Sequence, residues 1–175
     1  MITLHEAFVP TALQLLGSVD HLLKKAEAHC SENGRPAQSV IGARLAPDML
    51  DLAYQVKSCA GHSFGAIEGL RAGNFSPDMS TPPDSFAGLR DQVAVAVDGL
   101  GGVSVEELEA LQDRPMTFTM RDIIRWDFSG KDFLLSFSQP NFNFHVTATY
   151  AILRADGLPI GKGDYLGAIR RAQPA

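Results

Sequence analysis

Apolar residues recur at three- and four-residue steps through the N-terminal segment, where Phe8, Ala12, Leu15, Leu16, Val19, Leu22, Leu23 and Ala26 fall on one face. That spacing is the stripe of an amphipathic helix, predicted over 4–30 and stopped by Asn33-Gly34. A short helical turn is predicted over 36–41. The next long helix is predicted over 47–72, with Pro47 in its first turn, where a missing N–H costs little, and Gly73 as its stop. A third, over 84–100, follows the start signal Thr81-Pro82-Pro83-Asp84 and places Phe86, Leu89, Val93, Val97 and Leu100 on one face. Ser104-Val105-Glu106-Glu107 has the pattern of a capping box and opens a short helix to Leu111.

The period then drops to two. Met116, Phe118 and Met120 alternate with threonines, and Ile124, Trp126 and Phe128 alternate with Arg125 and Asp127. Alternation on both sides of Arg121-Asp122 predicts a β-hairpin over 115–128. A lone hairpin is marginal in water, so its apolar face is expected to pack on the helices. Ser129 and Asp132 open a last helix over 131–155, stopped at Asp156-Gly157, and Pro140 inside it predicts a kink or break near Gln139. No repeat or linker divides the chain. Residues 1–175 therefore read as a single all-α domain, a bundle of four long helices with a small β-hairpin inserted before the last.

Composition narrows the partners. A chain of 175 residues can bury one sizeable core, and its 45% hydrophobic and 20% charged residues are those of a folded domain. The net charge of −5 and the lack of any cluster of Lys and Arg argue against nucleic acid. No apolar run approaches the roughly 20 residues of a membrane span, and His5, Glu6 and Pro10 interrupt any signal-like start. With only Cys30 and Cys59, the expected location is the cytoplasm.

The candidate chemistry gathers on two helices. Asn141 and His145 are four apart and share a face, with Phe137, Phe144 and Tyr150 as apolar surroundings. On the second helix Asp48, Leu52, Gln55, Cys59 and His62 form one stripe, and three polar residues are unexpected on a face that should be core. Members seven apart stand about 10.5 Å apart along a helix, so one metal would take at most one of them, together with His145. The candidate ligand-binding set is Asn141, His145, Asp48, Arg44, Gln55 and Tyr150, with Asp48 and His145 the pair to watch.

Each has a plainer reading. Asp48 would cap its helix, Gln55 would bond a neighbouring backbone and His145 would be a hydrogen-bonded core imidazole. Asn141 would satisfy a carbonyl freed by Pro140, and Arg44 would pair with Asp48. Cys59 lacks the basic surroundings of a nucleophile. Gly-x-Ser-x-Gly, His-Glu-x-x-His and Cys-x-x-Cys motifs are absent.

The stretch from Gly130 to Gly167 closely resembles the C-terminal signature of a DinB-like domain-of-unknown-function family, the one numbered nineteen ninety-three. The matching pieces are Pro140-Asn141-Phe142, Phe144-His145, Thr147 through Arg154, and Gly161-Lys162 with Asp164-Tyr165-Leu166-Gly167. Gly42-Ala43-Arg44-Leu45-Ala46-Pro47-Asp48-Met49 and Val9-Pro10 resemble it as well. The resemblance implies a DinB-like up-down-down-up four-helix bundle, often a homodimer, and brings no known activity. The wider DinB-like superfamily often holds a divalent metal through three histidines, two of them as H-x-x-x-H on the last helix. Thr149 and Asn141 stand where partners of His145 would be.

No metal or other cofactor is therefore expected, and His145 is the sole candidate ligand. Three functions stay open. One is a bundle binding a small ligand or partner near the last helix; the others are a divalent-metal-dependent transferase or hydrolase, and a dimeric structural protein without pocket chemistry.

Overall fold

The computed structural model describes residues 2–121 and 123–172. Asp122, placed by the sequence in the hairpin turn, lies outside them. Helix α1 (Leu4–Glu32) starts in a capping box that the sequence reading did not single out. The Thr3 hydroxyl accepts from Glu6 N–H at 3.1 Å, and the Glu6 carboxylate accepts from Thr3 N–H at 2.9 Å. It ends at Asn33, with Gly34 in the left-handed region, and α2 (Ala37–Ile41) follows.

The second predicted helix is two helices, α3 (Leu52–Gly61) and α4 (Phe64–Ala72). Its start also moves. Pro47 and Asp48 form the corner of a turn closed by Met49 N–H donating to Ala46 O at 3.0 Å, a position that suits proline's fixed φ. Asp51, not Asp48, caps α3, its carboxylate accepting from Tyr54 N–H at 3.1 Å. The break after Gly61 is sealed by Ser63, whose hydroxyl donates to the Cys59 carbonyl at 2.6 Å. His62 thereby becomes the C-cap of α3. Helix α4 stops at Gly73, left-handed as its position demands.

The two-residue strand β1 (Asn74–Phe75) pairs in parallel with β2 (Pro115–Met120), which pairs antiparallel with β3 (Ile124–Ser129). The hairpin has the expected alternation, with Met116 opposite Phe128, Phe118 opposite Trp126 and Met120 opposite Ile124. It is thus part of a three-stranded sheet. Helix α5 (Phe86–Gly101) is capped by Ser85, and α6 (Val105–Leu111) by Ser104.

The last helical run shows no break. It begins with α7 (Gly130–Asp132), capped by Ser129, continues as a π-helical stretch (Phe133–Ser138) and ends as α8 (Gln139–Ala155). Pro140 sits at the start of α8, where its missing N–H is tolerated because the wider turn has already shifted the hydrogen-bond ladder. Helix α9 (Lys162–Leu166) folds back on α1, with Gln14 donating to the Leu166 carbonyl at 2.8 Å.

Helix α1 packs on α5 and α8, and α3 packs on the same two. Leu16, Val19, Leu22, Leu52, Leu89 and Val146 are buried between them. The inner face of the sheet adds an aromatic layer, in which Phe118 lies 4.6 Å, centroid to centroid, from Phe137 of the π stretch. The fold is mostly helical with a small sheet. Among the described residues no helix is long and apolar enough to cross a membrane.

Candidate functional site

Where the aromatic layer meets the helices, a cavity of about 260 Å³ remains. Tyr54 and His62 of α3 form one wall, and Phe137, Asn141 and His145 of the last helical run form another. The hairpin contributes Phe118, Met120, Ile124 and Trp126, and Pro77 closes the side after β1. The π stretch widens the helix where it meets this wall, a place where such turns often accompany function.

Its polar centre is a chain of hydrogen bonds running inward. Gln55, 2% exposed, donates its amide NH₂ to the Leu50 carbonyl at 3.0 Å. That fixes the amide's orientation, so its oxygen faces His145 Nδ1 at 2.8 Å. An amide oxygen only accepts, so His145 carries its proton on Nδ1 and leaves Nε2 as a lone pair. His62 lies against it, the two rings 5.6 Å apart and 15° from parallel. The Ser138 hydroxyl gives its one proton to the His62 carbonyl at 3.1 Å and turns a lone pair towards His62 Nδ1 at 3.5 Å. Nδ1–H is therefore the favoured tautomer there too.

Both imidazoles are neutral at pH 7. Burial pushes the pKa of His145 down to about 4. His62 is pushed to about 4 by burial first and by repulsion from His145 second. Among the described residues no Lys, Arg, Asp or Glu side chain lines the cavity.

The candidate residues divide cleanly. Gln55, Asn141 and His145 come together at this cavity; Asn141 also donates to the Phe137 carbonyl at 2.7 Å, one turn before it, and not to the Ser136 carbonyl that Pro140 would leave free in an α-helix. Asp48 is exposed in the Pro47 turn and is not among the residues lining the cavity with His145. Arg44 pairs with Asp51 at 3.7 Å and donates to the Met49 carbonyl, not to Asp48, which the turn has carried off the helix. Tyr150 turns to Tyr165 of α9, their rings 5.9 Å apart. Phe144 and Trp126 are 56% and 50% exposed, whereas Phe142 is buried. Cys59 is buried and its thiol is pushed up to about 12, so it stays protonated.

His62 lies on the polar stripe of the sequence but outside the candidate set. Its seven-residue spacing from Gln55 was the available signal. Tyr54, Pro77 and the hairpin residues carried none, because only the tertiary fold brings them here.

A three-histidine metal site does not fit these residues. Two imidazoles are present, the Nδ1 of one is committed to Gln55, and among the described residues no three His, Cys, Asp or Glu side chains gather as a ligand set. Open zinc sites use about three protein ligands.

Residues 4–166 match the family described as a domain of unknown function, DUF1993, and the chain belongs to that family. The crystal structure of a DinB family member protein from Shewanella denitrificans is similar, with a TM-score of 0.82 at 25% identity, covering 98% of this chain and 96% of that one. No curated protein matches the chain.

Proposed function

We propose that this protein binds a small organic ligand in the His62–His145 cavity, on a DinB-like up-down-down-up four-helix bundle in which α3 and α4 together act as one interrupted helix. The observation that carries the reading is the inward chain from Leu50 through Gln55 to His145. It holds a neutral imidazole in one tautomer against an aromatic cavity, and apolar walls with a few fixed polar atoms are the usual make-up of a ligand site. A purely structural imidazole would be expected to use both ring nitrogens, whereas Nε2 of His145 makes no hydrogen bond among the described residues. The protein acts as a cytoplasmic homodimer in this reading. Exposed Trp126 and Phe144 beside the cavity mouth support self-association, and two free cysteines suit a reducing compartment.

Trp126 is the single tryptophan of the chain and lines the cavity, so its emission reports occupancy. Ring-sized fragments are expected to change that emission saturably in the wild type and not in Ile124→Phe, which fills the cavity from the hairpin side. A library without any saturable response, or responses untouched by Ile124→Phe, would sink the reading.

A further inference from the structure

Three polar atoms at the cavity have roles fixed by the hydrogen bonds behind them. His145 spends its N–H on Gln55 and keeps Nε2 as an acceptor. His62 turns its Nδ1 edge to Ser138, which leaves Nε2 in the same state. Asn141 gives one N–H of its amide to the Phe137 carbonyl, which orients the amide and leaves its oxygen and its second N–H without a partner among the described residues. Neither imidazole Nε2 has a partner among the described residues, and neither is a fully enclosed unsatisfied atom, so both are open to the cavity. Tyr54 imposes no preference, since a phenol donates and accepts.

We infer that the cavity selects a compact molecule carrying a protonated amine on a flat apolar body. An ammonium offers three donors and no acceptor, the complement of three lone-pair ends. Its charge also suits a wall built of aromatic rings, Phe118, Phe137 and Trp126. A carboxylate or phosphate would instead meet the lone pairs of the two imidazoles. The nearby ammonium of Lys57 gives no help, because it donates to the Ser80 carbonyl at 2.5 Å, the Ser80 hydroxyl at 2.8 Å and Asp78 at 2.9 Å. Protonating an imidazole to receive an anion is opposed by its burial. This inference rests on the cavity being a ligand site and adds the ligand's charge and hydrogen-bonding class.

The test has two parts on the full chain near neutral pH. Nitrogen-15 spectra of the imidazoles are expected to show Nδ1–H at His62 and His145; a proton on Nε2 of His145 overturns the inference before any ligand is added. Benzylamine, benzyl alcohol and benzoate, matched in size, are then titrated while the His62 and His145 ring resonances are followed. Benzylamine is expected to bind at least about tenfold tighter than benzoate, with the alcohol between them. Equal binding of all three, or tighter binding of benzoate, overturns the amine preference and leaves the ligand site standing. Silence from all three overturns the inference too, and the Trp126 library then decides separately whether the cavity binds anything.

Discussion

The Gln55 amide oxygen accepts from Nδ1 of His145 at 2.8 Å, across the contact between α3 and α8. The bond joins two residues ninety positions apart, and it is buried on the Gln55 side. Truncating His145→Ala removes the ring and leaves the amide oxygen of the buried Gln55 without its donor. We expect a loss of about 2–4 kcal/mol, from the cavity and the orphaned acceptor together. A urea titration measures it. An unchanged midpoint would mean that water reaches Gln55 freely and that the bond is not structural.

Metal content follows from the same geometry. Protein purified without added metal should carry zinc or nickel far below one equivalent, because two imidazoles and an amide make an incomplete ligand set. Elemental analysis decides. A near-equimolar metal that disappears in His145→Ala would make the metalloenzyme reading the better one.

Much of the fold was legible from period alone. The switch from helical spacing to alternation at Met116 located the hairpin, and Asn33-Gly34 and Gly73 ended their helices where expected. The boundaries that failed depended on competition between local signals. Pro47 suits both a helix start and a turn corner, and Asp51 won because its carboxylate reaches Tyr54 N–H. The break at His62 has no proline to announce it, and the π stretch before Pro140 is a tertiary solution to a local conflict. The site was half legible for the same reason. Gln55, His62, Asn141 and His145 all stand out as polar residues on core-facing stripes, but which of them meet depends on helix contacts and on a hairpin folded over them.

Light scattering at micromolar concentration should give about twice the mass of one 18.8 kDa chain. Trp126 and Phe144 are large, half exposed and adjacent to the cavity, and Ile123 at the hairpin turn is 79% exposed. Replacing Trp126 and Phe144 together with serine should shift the population to monomer without lowering helix content. A wild type that runs as a clean monomer removes the dimer.

Gly130 is the tightest glycine to test. A Cβ there would collide with the Leu111 carbonyl and come within 2.8 Å of the Leu70 side chain, and the next residue is pinned by Lys131 N–H donating to Gln112 at 2.7 Å. Gly130→Ala should therefore cost about 2 kcal/mol or more, since backbone must move to make room. Gly61→Ala is the control. Nothing lies within 4 Å of its Cβ position at the end of α3, so it should be neutral or gain up to about 1 kcal/mol. Equal midpoints for the two variants would contradict the packing described at the α7 junction.

Acid should weaken the fold well above the range where its carboxylates titrate. His62 and His145 have an ordinary pKa of 6.5 and are held near 4 when folded. Between those values the unfolded chain binds up to two protons that the folded chain does not, so stability rises with pH across that window. The contribution is complete above about pH 6.5, falls as pH drops below it, and is gone near pH 4. Each proton is worth up to about 1.4 kcal/mol per pH unit, discounted for His145 because its ring edge meets the cavity. Asp20, Asp78 and Glu107 are held below their ordinary values by lysine, arginine or backbone partners, and their contributions are lost at lower pH still. Urea midpoints measured from neutral pH down to about pH 4 should thus fall by a few kcal/mol in free energy. His145→Ala, less stable overall, should show roughly half that slope because His62 alone remains. A flat profile in the wild type, or an undiminished slope in the variant, would show that the imidazole pair is not held neutral by burial.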